Sequence, residues 1–211
     1  MSILNIFWTN FNSLELTSER IQCANELLPK DFQVDWSTAK NNQKISFAAK
    51  LLLNELVSEH FNLPNCLCSF KKEANGKPYF LDLPLHFNIS HSKDLIGIAF
   101  SEDSPVGIDI QVHKKFNPLI VDRVFSPEEH VAMKQLPDKE QFFFDTWTKK
   151  EAVVKCTGGG IKTGLKTFSV LPDTTIIEGQ ELFVQNIDIQ EGYSAAIASE
   201  KSIKNASLIR I

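Results

Sequence analysis

The stretch VGIDIQV at residues 106–112 restricts the fold more tightly than any other part of the chain. Val106, Ile108, Ile110 and Val112 alternate without a break with Gly107, Asp109 and Gln111. A period of two is that of a strand, so one face must rest on a core while the other is small or polar. We therefore expect a half-buried strand with a chemical face. Asp109 and Gln111 then project from that face about 7 Å apart, given a rise of roughly 3.3 Å per residue. Two oxygen-bearing side chains so placed can share a cation or its waters. Magnesium is usually held by one or two carboxylates together with substrate phosphates, so Asp109 requires a second acid. The plainer alternative is a lone acid that caps a turn or meets solvent.

The second acid comes from WTKKEAVVKCTGGGI, residues 147–161, where Trp147, Glu151 and Lys155 recur at four-residue steps and share one helical face. Glu151 and Lys155 are equally the favoured pattern for a surface ion pair, worth some 0.2–0.5 kcal/mol. The helix should run over residues 139–156 with Phe142, Phe143, Thr146, Trp147, Val153 and Val154 as its buried stripe, and Gly158 should end it. The glycines that follow do not form a phosphate-binding P-loop, because they end a helix and no Gly-Lys-Ser/Thr follows a four-residue spacer. Upstream, FSPEEH carries Ser126 as a helix cap, Pro127 at the first helical position and Glu129 to close a capping box.

Before residue 106 the spacing of Ile45, Ala48, Ala49, Leu52, Leu53, Leu56 and Val57 predicts an amphipathic helix over 44–61, with Lys44, Lys50 and Asn54 on its other face. Residues 66–73 read as extended. ANGKPY reads as a turn in which Asn75-Gly76 supplies backbone freedom. Residues 85–89 and 95–100 read as strands joined by the polar loop SHSKD. There Ser90, His91 and Ser92 could offer an anion their side chains and backbone N–H groups, or merely serve the turn. SEDSP, residues 101–105, is the best internal boundary. Weak alternation after residue 167 suggests further strands, and SLIRI at 207–211 an edge strand.

The bulk properties narrow the function classes. A chain of 211 residues, 43% hydrophobic and 23% charged, can bury one sizeable core or two small ones. A formal charge of −4 lacks the basic excess of nucleic-acid binders. Cys23, Cys66, Cys68 and Cys156 form no C-x-x-C pair and no dense scaffold, so reduced thiols in a cytoplasmic protein are expected. The first twelve residues do not resemble a signal peptide, and no stretch is long and apolar enough to span a membrane.

Taken in order, GKPYF, FNISHS, VGIDIQ, FSPEE and WTKKEAVVKCTGGGI resemble the motif series of the 4′-phosphopantetheinyl transferases, in particular the larger monomeric type that activates surfactin synthetase. The resemblance spans residues 75–170. Its most diagnostic part is G-I-D followed about forty residues later by W-x-x-K-E-x-x-x-K. It implies an α+β fold of two similar subdomains related by a pseudo-twofold axis, here residues 1–104 and 105–211, with coenzyme A and Mg²⁺ in the cleft between them. It implies transfer of 4′-phosphopantetheine from coenzyme A to a serine of an apo acyl or peptidyl carrier protein, with release of 3′,5′-ADP. Such a carrier would serve fatty acid, polyketide or nonribosomal peptide synthesis, and the enzyme would be a monomer with no nucleic-acid or membrane partner.

By this resemblance Asp109, Gln111 and Glu151 hold the metal, and Glu151 accepts the serine proton directly or through a water. Lys155 neutralises charge on the diphosphate and Lys150 assists. Ser90 and His91 contact coenzyme A phosphates, Lys77 and Pro78 lie near its adenine, and Lys30, Lys40 or Lys44 grip its 3′-phosphate, with Lys44 the foremost. Two departures stand out: many relatives carry glutamate where this chain has Gln111, and arginine where it has Ile45. Gln111 keeps open a binding module without catalysis, and the same acids keep open a metal-dependent phosphohydrolase.

Overall fold

The computed structural model describes residues 4–115, 117–160, 164–203 and 206–211. It is an α+β structure with two four-stranded sheets packed face to face and a long helix on the outer face of each. The first sheet has the order β10-β1-β5-β4, from Ser207–Arg210, Asn5–Asn10, Leu95–Ser101 and His86–Ser92. The second has the order β6-β9-β8-β7, from Val106–Val112, Tyr193–Ser199, Gln180–Asn186 and Thr174–Ile177. A separate small ribbon pairs β2 (Phe70–Lys72) with β3 (Pro78–Phe80).

The two halves repeat one topology. In each, the first strand pairs antiparallel with the last (β1 with β5, β6 with β9), and the last pairs with the one before it in the sheet. Helix α1 (Ser18–Leu27) and the 21-residue α2 (Asn41–Phe61) cover the first sheet; α5 (Lys139–Thr157) covers the second. Strand β10 crosses the division expected at 104/105, because it pairs in parallel with β1 in the first sheet.

Alternation along the strands builds the layers. On β1, Phe7 turns toward α2 while Ile6 and Trp8 turn toward the second sheet. On β9, Ala195 and Ile197 meet the first sheet and Ala196 and Ala198 lie under α5. Strand β6 is buried on both faces, in contrast to the half-buried strand that its pattern predicts. Its isoleucines pack against β5, where Gly97 leaves them room, and its Gly107 face is covered by α5. The small residue explains the difference: a Cβ on Gly107 would lie 2.1 Å from the Ala152 carbonyl oxygen and 2.4 Å from the Cys156 amide nitrogen.

Most local expectations hold. Helix α4 (Pro127–Gln135) carries the Ser126/Glu129 capping box, and Gly158 ends α5 with φ +72°. Three differ. Residues 66–69 form a 3-10 turn, because Asn65 is left-handed (φ 62°) and reverses the chain so that Cys66 and Leu67 are buried. The buried stripe of α5 includes Phe144, Thr148, Lys150, Ala152 and Cys156, while Phe142 and Trp147 are only half-buried. Ser90, His91 and Ser92 belong to β4, and the hairpin turns at Lys93 and Asp94.

That longer β4 joins the halves. Asn88 Oδ1, Ser90 Oγ and Ser92 Oγ, two residues apart, accept the backbone N–H groups of Ile108, Ile110 and Val112, each at 3.0 Å. The free edge of β6 is thus satisfied by side chains of the other sheet, as a buried edge requires.

Replacing Gly107 with alanine forces backbone against backbone. We expect a loss of about 3 kcal/mol, read as a lower urea midpoint. An unchanged midpoint would show that α5 can retreat freely.

Candidate active site

Strand β6 and helix α5 bring the two acids together. Asp109 is 7% exposed and faces α5, and Glu151 is half-buried on that helix. Lys155, one turn beyond Glu151, does not form the surface pair that its spacing also allows. Its ammonium reaches β6 instead, donating to Asp109 Oδ1 at 2.7 Å, Ser90 Oγ at 3.0 Å and the Ile108 carbonyl at 3.1 Å. All three ammonium hydrogens have acceptors, so Lys155 ties α5, β4 and β6 at one point.

Ser90 stands at the centre of this cluster. Its oxygen accepts from the Ile110 amide and from Lys155, which leaves its single hydrogen for Asp109 Oδ1 at 3.1 Å. The structure therefore makes Ser90 an organiser of Asp109 and Lys155. Burial, with Asp109 nearby and Lys155 in partial opposition, raises the Glu151 carboxyl above its ordinary range. Two acids close enough for one to disfavour ionisation of the other form a donor set that a cation relieves. Among the described residues no group of three or more His, Cys, Asp or Glu is arranged to hold a metal. Two carboxylates with substrate phosphates nevertheless suit magnesium. Gln111, next on the Asp109 face, donates weakly to the Val112 carbonyl at 3.4 Å and retains an amide oxygen able to accept.

Glu151 and Lys155 line a cavity of about 620 Å³, with Lys77, Pro78, Asn88, Ile89, Arg123 and Leu165 around it. Lys77 and Pro78 are thus brought to the acids from the distant 70–80 ribbon. The Lys77 ammonium donates to the Cys156 carbonyl in the last turn of α5, where a cation is favoured. Arg123, on helix α3 (Pro118–Val124), was not singled out by the sequence, in which nothing distinguishes it from any surface arginine.

Farther along β4, His91 lines a second cavity of about 420 Å³ together with Gln43, Ser46 and Lys50. Lys50 is 9% exposed and donates to the Ser46 carbonyl and hydroxyl, at 2.9 and 3.1 Å; among the described residues it has no other acceptor and no carboxylate pairs with it. Burial, with Lys72 adding to it, lowers its pKa to about 8. Desolvation and the charges of Lys155 and Lys50 also lower the His91 pKa, although the residue keeps an exposed surface. Lys44 belongs to neither cavity lining; its ammonium lies 5.3 Å from the centre of the Trp36 ring. The sequence reading placed Lys50 on the open face of α2, because helical periodicity alone does not reveal that β4 approaches there. Lys30 and Lys40 are both exposed.

Lys150 departs furthest from expectation. It is fully buried and forms an ion pair with the equally buried Glu129 at 2.9 Å, away from the cavities. It is not placed to touch a phosphate.

Both halves of the chain match known family models. Residues 105–198 match the model of the 4′-phosphopantetheinyl transferase superfamily, and residues 17–103 match that of the 4′-phosphopantetheinyl transferase N-terminal region. The chain is 33% identical over 166 residues to the 4′-phosphopantetheinyl transferase psf-1 of Bacillus pumilus, covering 72% of this chain and 69% of the relative. It is 30% identical over 175 residues to gsp of Aneurinibacillus migulanus, covering 79% and 73%. It is 29% identical over 163 residues to Sfp of Bacillus subtilis strain 168, covering 71% and 70%. Paired acids and a bridging lysine at the junction of two matching halves, with family-wide similarity over both, show that the chain is an enzyme of the 4′-phosphopantetheinyl transferase superfamily, of the Sfp-like kind.

Proposed function

We propose that the protein moves 4′-phosphopantetheine from coenzyme A to a serine hydroxyl of an apo acyl or peptidyl carrier protein and releases 3′,5′-ADP. The observation that carries this reading is the Lys155–Asp109–Ser90 cluster, whose Lys155 lines the larger cavity together with Glu151. The diphosphate lies at Lys155 and the adenosine toward Lys77 and Pro78. The serine oxygen attacks the phosphorus that carries pantetheine, and the P–O bond to the bridging oxygen breaks. The electron pair leaves with adenosine bisphosphate. Glu151 takes the serine proton, directly or through a water, and its raised pKa suits that task. Lys155 stabilises charge growing on the bridging oxygen.

Asp109 and Glu151 would hold magnesium, with Gln111 supplying an amide oxygen. Bound there, it would neutralise diphosphate charge. Lys50, Ser46 and His91 would receive the 3′-phosphate in the smaller cavity, a role that the resemblance left among Lys30, Lys40 and Lys44. A third recess of about 260 Å³ adjoins Gln111; Ile120, Phe143, Phe144 and Trp147 line it, along with Lys114 and Lys115. Its apolar lining and two lysines fit an amphipathic acidic surface on the carrier.

Mass spectrometry of apo carriers incubated with the protein, coenzyme A and magnesium should show the gain of one phosphopantetheine on serine. No gain with several carriers at high magnesium would count against the reading. Glu151→Gln should abolish transfer in a folded protein, and Lys155→Ala should lower kcat by about 10²–10³. Gln111→Glu should lower the magnesium concentration needed for half-maximal rate. Normal coenzyme A binding without turnover, even in Gln111→Glu, would instead support a binding module.

Lys50 links affinity to pH. Its folded pKa of about 8 lies below the ordinary 10.5, so between these values the unfolded chain keeps a proton that the folded one has released. The buried charge is a full cost below pH 8, and that cost disappears as pH rises toward 10.5. Lys50→Met should therefore be more stable than the parent at pH 7 by on the order of 3 kcal/mol, with the gap closing across that window. The same variant should lose most of the preference for coenzyme A over dephospho-coenzyme A, read by calorimetry. A preference that persists would take the 3′-phosphate away from Lys50.

A further inference from the structure

Lys150 and Glu129 form a fully buried charged pair that the reaction does not use. The ammonium of Lys150 has three hydrogens and meets three acceptors: Glu129 Oε2 at 2.9 Å, the Leu165 carbonyl at 2.7 Å and the Phe168 carbonyl at 2.5 Å. The Phe168 ring centre lies 4.5 Å away. Glu129 is satisfied in turn: Oε2 accepts the Ser126 amide and Oε1 the Val170 amide, both at 2.8 Å. No hydrogen on Lys150 remains for a ligand.

The pair joins three separate pieces of chain: the start of α4, the middle of α5 and the segment 165–170. One of these reaches the active site. Leu165, whose carbonyl Lys150 holds, lines the larger cavity together with Glu151, the next residue on α5. A buried ion pair is a weak source of net stability, since desolvation offsets most of its attraction. A fully hydrogen-bonded one, however, fixes its neighbours in a single arrangement.

We propose that Lys150 is a positioning residue: with Glu129 it clamps the Leu165 wall of the coenzyme A cavity at a fixed distance from Glu151, and never touches the substrate. This inference rests on the coenzyme A reading above. It assigns Glu129 an equal part in substrate binding, although that carboxylate is buried and lies outside the cavity lining.

The test is calorimetric titration of coenzyme A, alongside thermal unfolding, into the whole protein and into Glu129→Gln, Lys150→Met and the double variant. Each single substitution should weaken coenzyme A binding by about tenfold, the scale of a misplaced wall. The double variant should weaken it by the same tenfold and not by their product. Removing both charges relieves the unpaired ion, so the double variant should regain Tm relative to the singles while its affinity stays low. It also supplies a folded protein should a single variant not fold.

Affinity that returns together with Tm would reduce the pair to a stability element and overturn the proposal. Weakening in Lys150→Met alone, with Glu129→Gln unaffected, would make Lys150 a direct ligand and overturn it equally. Absence of coenzyme A binding by the unmodified protein would instead sink the functional reading itself.

Discussion

The whole arrangement depends on how the open edge of β6 is satisfied. An edge strand buried between two sheets leaves backbone N–H and C=O groups that have no water to turn to. Here Asn88, Ser90 and Ser92 take three amides, and Lys155 takes the carbonyl of Ile108. The side-chain row and the strand edge share a two-residue period, so they fit only in one register. That register sets Ser90 against Asp109. The polar face of β4 is therefore both the seam between the halves and the support of the Asp109–Lys155 cluster.

The other side of β6 is governed by size. Gly107 lets the α5 backbone come down onto the strand, and this close approach brings Glu151 and Lys155 within reach of Asp109. A larger residue would lift the helix and separate the acids without altering either one. The apolar alternation of β6 matters for the opposite reason: it holds the strand on the first sheet, so that the helix closes on a fixed target.

Four lysines, two buried and two half-buried, illustrate how environment assigns roles to identical side chains. Lys155 is held by three acceptors around the acids, with 29% of its side chain exposed, and lines the larger cavity. Lys77 caps a helix end at the cavity rim. Lys50 has hydrogen bonds to Ser46 but no counter-charge among the described residues, and burial lowers its pKa, which leaves it short of an anion. Lys150 is fully saturated and enclosed. Lys155 and Lys150 each meet three acceptors, so exposure and access to the cavity separate these roles where residue type and acceptor count do not.

Much of the site was legible in the chain. Period-two alternation placed Asp109 and Gln111 on one strand face, period-four recurrence placed Glu151 and Lys155 on one helical face, and capping residues marked α4 and the end of α5. These signals are local, generated by backbone geometry within a few residues, and so survive without the fold. What the chain could not disclose was which surfaces meet. The burial of Lys50 and Lys150, the partnership of Lys155 with Asp109 in place of Glu151, the arrival of Arg123 and Leu165 at the cavity, and the return of β10 to the first sheet all follow from contacts between distant segments. Sequence alone determined the strand and helix that carry the acids and the chemistry they bear. Tertiary structure decided which charges are solvated and which are paired, because desolvation and hydrogen bonding depend on neighbours that only packing brings together.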